Sequence, residues 1–233
     1  MRNGIEVRLV KDEAGRQQAL AVMRVIYRDE KNWVRDDEKL VALAEVSDPA
    51  ISWFVCFVGG QPVGVVRILY SPPLELYRTY GFKLLQRGLD LDAFIRNSRV
   101  AEIGRFAVLP DQRSNVLVAV ALMRAAAHET LARDYTHYVT DVFEGERHSP
   151  YDFHRRVMGF KLVATHDTGE LNCPNRRLTL VLDLAEAYHR LRRERGWVFR
   201  YMTEGWEPEL HHRLESKGSP HPKPKAGLLA NQV

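Results

Sequence analysis

The sequence predicts an α+β domain built on a mixed sheet flanked by helices. Three observations predict it. Apolar runs of strand length recur along the chain with Gly or Pro punctuation between them. One helix-length segment, 115–133, is apolar nearly all round, as a helix buried against a sheet is. The 233 residues are 45% apolar and 27% charged, an ordinary globular balance that excludes a disordered or fibrous chain. The length suits one large domain with an extension. The expected organisation is a domain over 1–184, a basic helical extension over 185–217, and a disordered tail over 218–233, where Pro220, Pro222 and Pro224 cluster.

The elements follow in order. Residues 5–10 alternate apolar and polar side chains as a first strand does. Asp12 is the residue type that caps a helix, and Leu20, Met23 and Tyr27 at helical spacing carry that helix to about residue 30. A polar stretch, 32–37, holds Trp33; a shorter helix over 38–46 then stops at Asp48-Pro49. The runs ISWFVCFV and PVGVVRILY, joined across Gly59-Gly60, form a hairpin. Ser71-Pro72-Pro73 opens an irregular, partly helical insert reaching residue 98. The run RVAEIGRFAVL, 99–109, is a central strand stopped by Pro110. In the helix over 115–133, Val116, Val120, Met123, Ala127 and Leu131 mark one stripe, and Val118, Leu122 and Ala125 another. A strand over 136–143 follows, then a short helix near 150–157 ended by Gly159. Strands over 160–166 and 178–182 complete the sheet. Asp183 caps a basic helix over 184–195, and an aromatic-rich segment, 197–206, leads into a polar helix ending near 217.

Several function classes are excluded. Cys56 and Cys173 are the only cysteines and lack neighbouring thiol or His ligands, against a disulfide framework or a cysteine zinc site. The nine histidines show no metal-ligand spacing, and His211-His212, being adjacent, point apart, so no metal is expected. Neither a GxSxG elbow nor a GxxxxGK[ST] loop occurs, which removes serine hydrolases and P-loop enzymes. The longest apolar stretch, 51–70, is broken by Gly59, Gly60, Gln61 and Pro62 and carries Arg67, short of the roughly 20 apolar residues a membrane span needs. The opening MRNGIEVRLV has no signal-like apolar core, so a cytoplasmic location is expected. A net charge of +4 is too small to point to nucleic acid, which is not an expected partner.

The element order, with AEIGRFAVLPDQRSN, a second strand and then FHRRVMGFK, resembles the GNAT acyltransferase fold. Within it, RVIYRDEKNW, GVVRIL and EIGRF resemble the acyl-homoserine-lactone synthases and their relatives, the long-chain N-acyl amino acid synthases. The resemblance spans roughly residues 5–184, and no single motif is specific; the ordered set carries it. It implies functional positions at Arg24, Tyr27, Trp33, Arg67, Glu102 and Arg105. Two departures from the wider fold are visible. The loop after the central strand, Gln112 to Val118, has no glycine, whereas a tight nest for the CoA pyrophosphate favours one. The position where many relatives carry a Tyr acid, shortly before the closing Gly-Phe, is occupied by His154 and Arg155. A phosphopantetheine arm on an acyl carrier protein brings no adenosine diphosphate, so the first departure favours that donor. The long insert and the ending NRRLTLVLDL look more like the N-acyl amino acid synthases.

The resemblance thus implies transfer of a fatty acyl group from acyl carrier protein to the amino group of a small amino acid. The thioester is a co-substrate, and no further cofactor is expected. Glu102 is the candidate base, since an α-amino group has a pKa of about 8 and must lose a proton to attack. Structural pairing with Arg105 is its bland alternative; on a regular strand 102 and 105 point to opposite faces unless a bulge intervenes. The backbone amides near Phe106 and Val108 would meet the oxyanion if the central strand parts from its neighbour. Arg24, Arg67 and Arg105 are candidates for the acceptor carboxylate. Arg67 interrupts an apolar strand, where it either has a buried partner or faces outward at an edge. Tyr27 and Trp33 would line the acceptor pocket or be ordinary core. On the donor side stand Arg113, Ser114, Asn115, Arg155 and Arg156, with Arg124 and Lys161 adding positive charge toward an acidic carrier. The arginines of the last basic helix, 190 to 195, would serve the carrier or a peripheral membrane contact, or be a solvated face. The other readings are a lactone synthase using S-adenosylmethionine, an acyl-CoA-dependent N-acetyltransferase, and a non-catalytic module binding the carrier or a lipid.

Overall fold

The computed structural model describes residues 4–75, 79–86 and 90–217; the expected tail over 218–233 lies outside them. The strands are β1 (Ile5–Leu9), β2 (Ile51–Val58), β3 (Gln61–Tyr70), β4 (Lys83–Leu84), β5 (Val100–Val108), β6 (His137–Phe143), β7 (Lys161–His166) and β8 (Arg177–Asp183). They form one sheet in the order β1-β2-β3-β5-β6-β8-β7-β4. Every described pairing is antiparallel except β5 with β6, at the centre.

The helices are α1 (Glu13–Met23), α2 (Asp37–Leu40), α3 (Leu43–Ser47), α4 (Leu91–Asn97), α5 (Val116–Ala132), α6 (Leu184–Glu194), α7 (Trp197–Thr203) and α8 (Pro208–Ser216). Asp12 caps α1 as expected, its Oδ1 accepting from the Gly15 N–H at 2.8 Å. Beyond Met23 the predicted long helix widens into a π-helical turn, Arg24–Glu30. The predicted helix over 38–46 is two short pieces, interrupted where Val41 and Ala42 take extended backbone. The insert contributes β4 and α4.

Both faces of β2 and β3 are buried, which is why their sequences read as continuous apolar runs rather than as an alternation. Phe54, Cys56, Val66 and Ile68 pack under α5; Trp53, Val55, Phe57 and Val65 pack under α1. Tyr188, Met202, Leu210 and Leu214 of α6–α8 belong to the α5-side core, so these helices are continuous with the sheet domain. Inside that packing Arg190 donates to the Val157 carbonyl at 2.8 Å and Arg192 pairs with Glu215, leaving α6 less free basic charge than its sequence suggests. Among the described residues no helix is long and apolar enough to cross a membrane.

Candidate active site

The central parallel pair is short. β5 and β6 are in register at Val100/His137, Ala101/Tyr138 and Glu102/Val139. The Thr140 hydroxyl then donates to the Ile103 carbonyl at 2.8 Å. Beyond that point the two strands carry no ladder, and a cleft of about 330 Å³ opens between them. On its other edge β5 stays paired with β3, but with a bulge: Arg67 faces Gly104 and Val65 faces Ala107, so Arg105 and Phe106 stand opposite Val66 alone. Arg105 takes φ +50°, a left-handed conformation that a side chain rarely adopts and that the surrounding ladder enforces. The extra residue sits just past the point where β5 and β6 part, the splay the sequence reading required.

Strand parity beyond the bulge places a donor in the cleft. The Leu109 N–H bonds the Val63 carbonyl at 2.8 Å, on the β3 side. Val108 therefore turns its own N–H and carbonyl to the opposite edge, where Arg113 Nε reaches that carbonyl at 3.2 Å.

The same bulge settles the relation between Glu102 and Arg105: both lie on the α1 face, together with Arg67. Arg67 is 6% exposed, so it does not face outward at an edge. Its Nη2 stands 3.4 Å from Glu102 Oε1 and its Nη1 3.3 Å from Glu45 Oε1. The other Glu45 oxygen accepts from the Trp53 indole N–H at 2.8 Å. Gly104 makes the meeting of Arg67 and Glu102 feasible, because a Cβ there would lie 3.2 Å from both Arg67 Nη2 and Glu102 Oε1. Arg105 has looser company: Nη2 is 3.3 Å from the Lys39 carbonyl and 3.5 Å from the exposed Glu170 carboxylate, with the guanidinium 5.7 Å from the Tyr27 ring centre. The Nε atoms of Arg67 and Arg105 are buried with no hydrogen-bond partner. Burial pushes the Glu102 carboxyl above the ordinary carboxylate value, opposed by Arg67 and reinforced by Asp141 and Glu170. Burial and the neighbouring Arg67 together push Arg105 down.

The remaining expected residues divide. Tyr27, Trp33, Phe106, Arg113 and Asn115 line the cleft, with Arg105 and Val108. The π-helical turn presents the consecutive Ile26 and Tyr27 to that same space. Arg24 is not brought there; it is tied to Asp37, Nε to Oδ1 at 3.0 Å. Ser114 is exposed and does not line the cleft. Arg113 also pairs with Glu30 at 2.5 Å. Arg155 and Arg156 are exposed on the π-helical turn Phe153–Met158, Arg155 donating to the Tyr151 hydroxyl at 3.0 Å and Arg156 pairing with Asp152 at 3.2 Å. Cys56 is fully buried and its thiol is pushed up to about 12 by burial, which makes it no nucleophile.

Sequence reasoning missed three groups and noticed a fourth, His154, without giving it a role. Asp141, the acid within HYVTDVF, lines the cleft directly across from β5. Behind it His166 Nε2 lies 3.1 Å from Asp141 Oδ2. His154 lines the cleft among Phe106, Phe153 and Phe160, fully buried, with both ring nitrogens unpartnered; burial lowers its pKa to about 3. Glu170 approaches both Arg67 and Arg105 from an exposed loop. A charged residue inside a strand-like run is the signal for Asp141, and the place shortly before the closing Gly-Phe is that for His154; His166 and Glu170 had none.

A search of curated protein sequences finds no match. Among solved structures, FeeM, an N-acyl amino acid synthase from uncultured soil microbes, superposes with a TM-score of 0.61 at 16% identity, over 82% of this chain and 96% of that one. An N-acetyltransferase from Staphylococcus aureus Mu50 gives 0.55 at 16% identity, covering 77% and 98%. Aminoglycoside 6'-acetyltransferase type Ii gives 0.52 at 13%, covering 77% and 96%. These likenesses establish the acyltransferase fold. The model of the N-acyl amino acid synthase FeeM family matches residues 18–175, a span that holds the cleft, the arginine pair and Glu102, and the chain accordingly belongs to that family and is an N-acyltransferase.

Proposed function

We propose that the protein joins a fatty acyl group, carried as a thioester on the phosphopantetheine arm of acyl carrier protein, to the α-amino group of an amino acid. The observation that carries this reading is the buried Arg67–Arg105 pair beside Glu102, set at the fork where β5 leaves β6. Two guanidinia with unengaged Nε donors and only loose partners suit a carboxylate. A carboxylate placed there leaves the adjoining amine over Gly104, against Glu102. Glu102 draws one proton from the ammonium; its raised pKa brings it closer to that task than an ordinary carboxylate.

The arm enters the cleft, and the Val108 N–H meets the carbonyl oxygen as negative charge develops. One such donor is worth about 3 kcal/mol in the transition state. The amine nitrogen bonds the carbonyl carbon, the tetrahedral intermediate collapses, the carbon–sulfur bond breaks, and the thiol leaves with a proton. No covalent acyl-enzyme is needed. An apolar cavity of about 190 Å³ lies on the same sheet face as Glu102, with Leu74, Phe82, Phe94, Val139, Val163 and Val181 in its wall. It suits a hydrocarbon tail far better than an acetyl group. The glycine-free approach to α5, where Asn115 makes no side-chain cap, supports a carrier-borne arm over CoA.

The test supplies purified protein with the same long-chain acyl group on acyl carrier protein or on CoA, and with amino acids or S-adenosylmethionine as acceptor. Mass spectrometry is expected to find an N-acyl amino acid formed from the carrier donor. A lactone product, or transfer from CoA alone, would overturn the reading.

A further inference from the structure

Glu102 accounts for one proton, yet forming an amide from an ammonium releases two: one before attack, one from the nitrogen of the tetrahedral intermediate. The departing sulfur needs one back. Glu102 stands behind Gly104 and does not line the cleft, whereas Asp141 does.

Asp141 is held from two sides. Its Oδ1 accepts from the Thr179 hydroxyl at 2.8 Å and its Oδ2 faces His166 Nε2 at 3.1 Å. The other ring nitrogen, Nδ1, is 2.7 Å from the Thr168 carbonyl. A carbonyl only accepts, so Nδ1 carries a proton. Nε2 faces the carboxylate at 3.1 Å without the alignment of a hydrogen bond. His166 is 1% exposed and its ring stacks on Tyr80 at 5.8 Å. The buried ring thus stands behind Asp141, a residue that lines the cleft. Of the charged groups, Glu102 on β5 interacts with Asp141, and Arg177 on β8 is the cross-strand partner of His166.

We propose that Asp141 is the proton shuttle of the reaction: it takes the second proton from the nitrogen of the tetrahedral intermediate and delivers it to the departing pantetheine sulfur. His166 is its positioning residue, packed against the carboxylate from behind. The inference rests on the amide-forming reading above and adds a division of labour to it. The carbon–nitrogen bond forms, the proton passes from nitrogen to Asp141 Oδ, the carbon–sulfur bond breaks, and the same proton leaves on sulfur. Asp141 ends as it began, and the proton held by Glu102 goes to water.

The experiment compares two donors in Asp141→Asn, His166→Phe and His166→Gln: the natural alkyl thioester, and an aryl thioester whose acidic thiol leaves without a proton. With the alkyl donor, Asp141→Asn should lower kcat by about 100-fold and His166→Phe by about tenfold, with acceptor KM near wild type. The aryl donor should restore most of both losses. His166→Gln, which keeps a polar group behind Asp141, should retain most of the wild-type rate. Equal losses with both donors, or no loss in Asp141→Asn, would overturn the shuttle. Should Asp141→Asn fail to fold, the aryl-to-alkyl ratio of His166→Phe carries the same test. The wild-type rates are taken with whichever amine is accepted. Failure of the amino acid reading therefore shows in the wild type, and failure of the shuttle only in the variant ratios.

Discussion

Arg105→Met removes a buried guanidinium while keeping an apolar stem against Tyr27. Among the described residues this cation's polar contacts are the Lys39 carbonyl at 3.3 Å and the exposed Glu170 at 3.5 Å, and its Nε is unpartnered. It therefore has donors left for a ligand carboxylate. Hydrogen bonds to a charged partner contribute about 1.5–3 kcal/mol. Taking about 2–3 kcal/mol for this site, at 1.4 kcal/mol per decade, gives a rise of roughly 30- to 150-fold in acceptor KM. The loss should appear with an amino acid and be nearly absent with the amine made by removing its carboxyl group. Arg105→Lys, a point charge without the fork, should fall between. The assay is steady-state acyl transfer with both acceptors at saturating donor. A variant whose KM is unchanged, or raised equally for both acceptors, would refute the assignment of this arginine to the carboxylate.

Other consequences follow from the same geometry. Glu102→Gln should lower kcat by about 100-fold or more while donor binding, read by calorimetry, survives. In the wild type the acid limb of kcat/KM should lie above the ordinary 4.5, since burial raises this group. Gly104→Val, whose Cβ would press on Arg67 and Glu102 at 3.2 Å, should cost acceptor affinity more than stability, measured by KM beside thermal melts. Glu170→Gln removes the loose carboxylate between the two arginines and should lower acceptor KM about two- to fivefold at low salt. His154 is neutral when folded, its pKa lowered from 6.5 to about 3 by burial. The unfolded chain therefore binds the extra proton first, and stability is lost as pH falls below 6.5. His154→Phe should abolish about 2–3 kcal/mol of the wild-type loss between pH 6.5 and 4.5, as read by denaturant melts at both pH values.

The fold was legible where local chemistry decides it. Asp12, Pro49, Gly59-Gly60, Pro110 and Gly159 are punctuation that works through backbone geometry alone, and the apolar length of α5 requires a sheet beneath it. The paired Glu102 and Arg105 and the inserted Arg67 were legible as charges in apolar strands. Their common face was not, because it depends on the bulge at Arg105, and nothing in EIGRFAV marks a left-handed residue. Arg24 looked equivalent to Arg67 until the position of α2 was known, which brings Asp37 against it. The shuttle pair escaped notice for a related reason: Asp141 and His166 meet only because β8 lies between β6 and β7. Strand order is a long-range property, and no local pattern encodes it.

The proposed reaction depends on a thioester entering between β5 and β6 with its carbonyl presented to Val108 and its acyl carbon facing Glu102 across Gly104. A crystal structure with a non-hydrolysable acyl-pantetheine analogue and the accepted amino acid tests this most directly. It should place the analogue's carbonyl oxygen within about 3 Å of the Val108 amide nitrogen, with the amino acid carboxylate on Arg67 and Arg105. An analogue bound elsewhere, with β5 and β6 unoccupied between Gly104 and Val108, would contradict it.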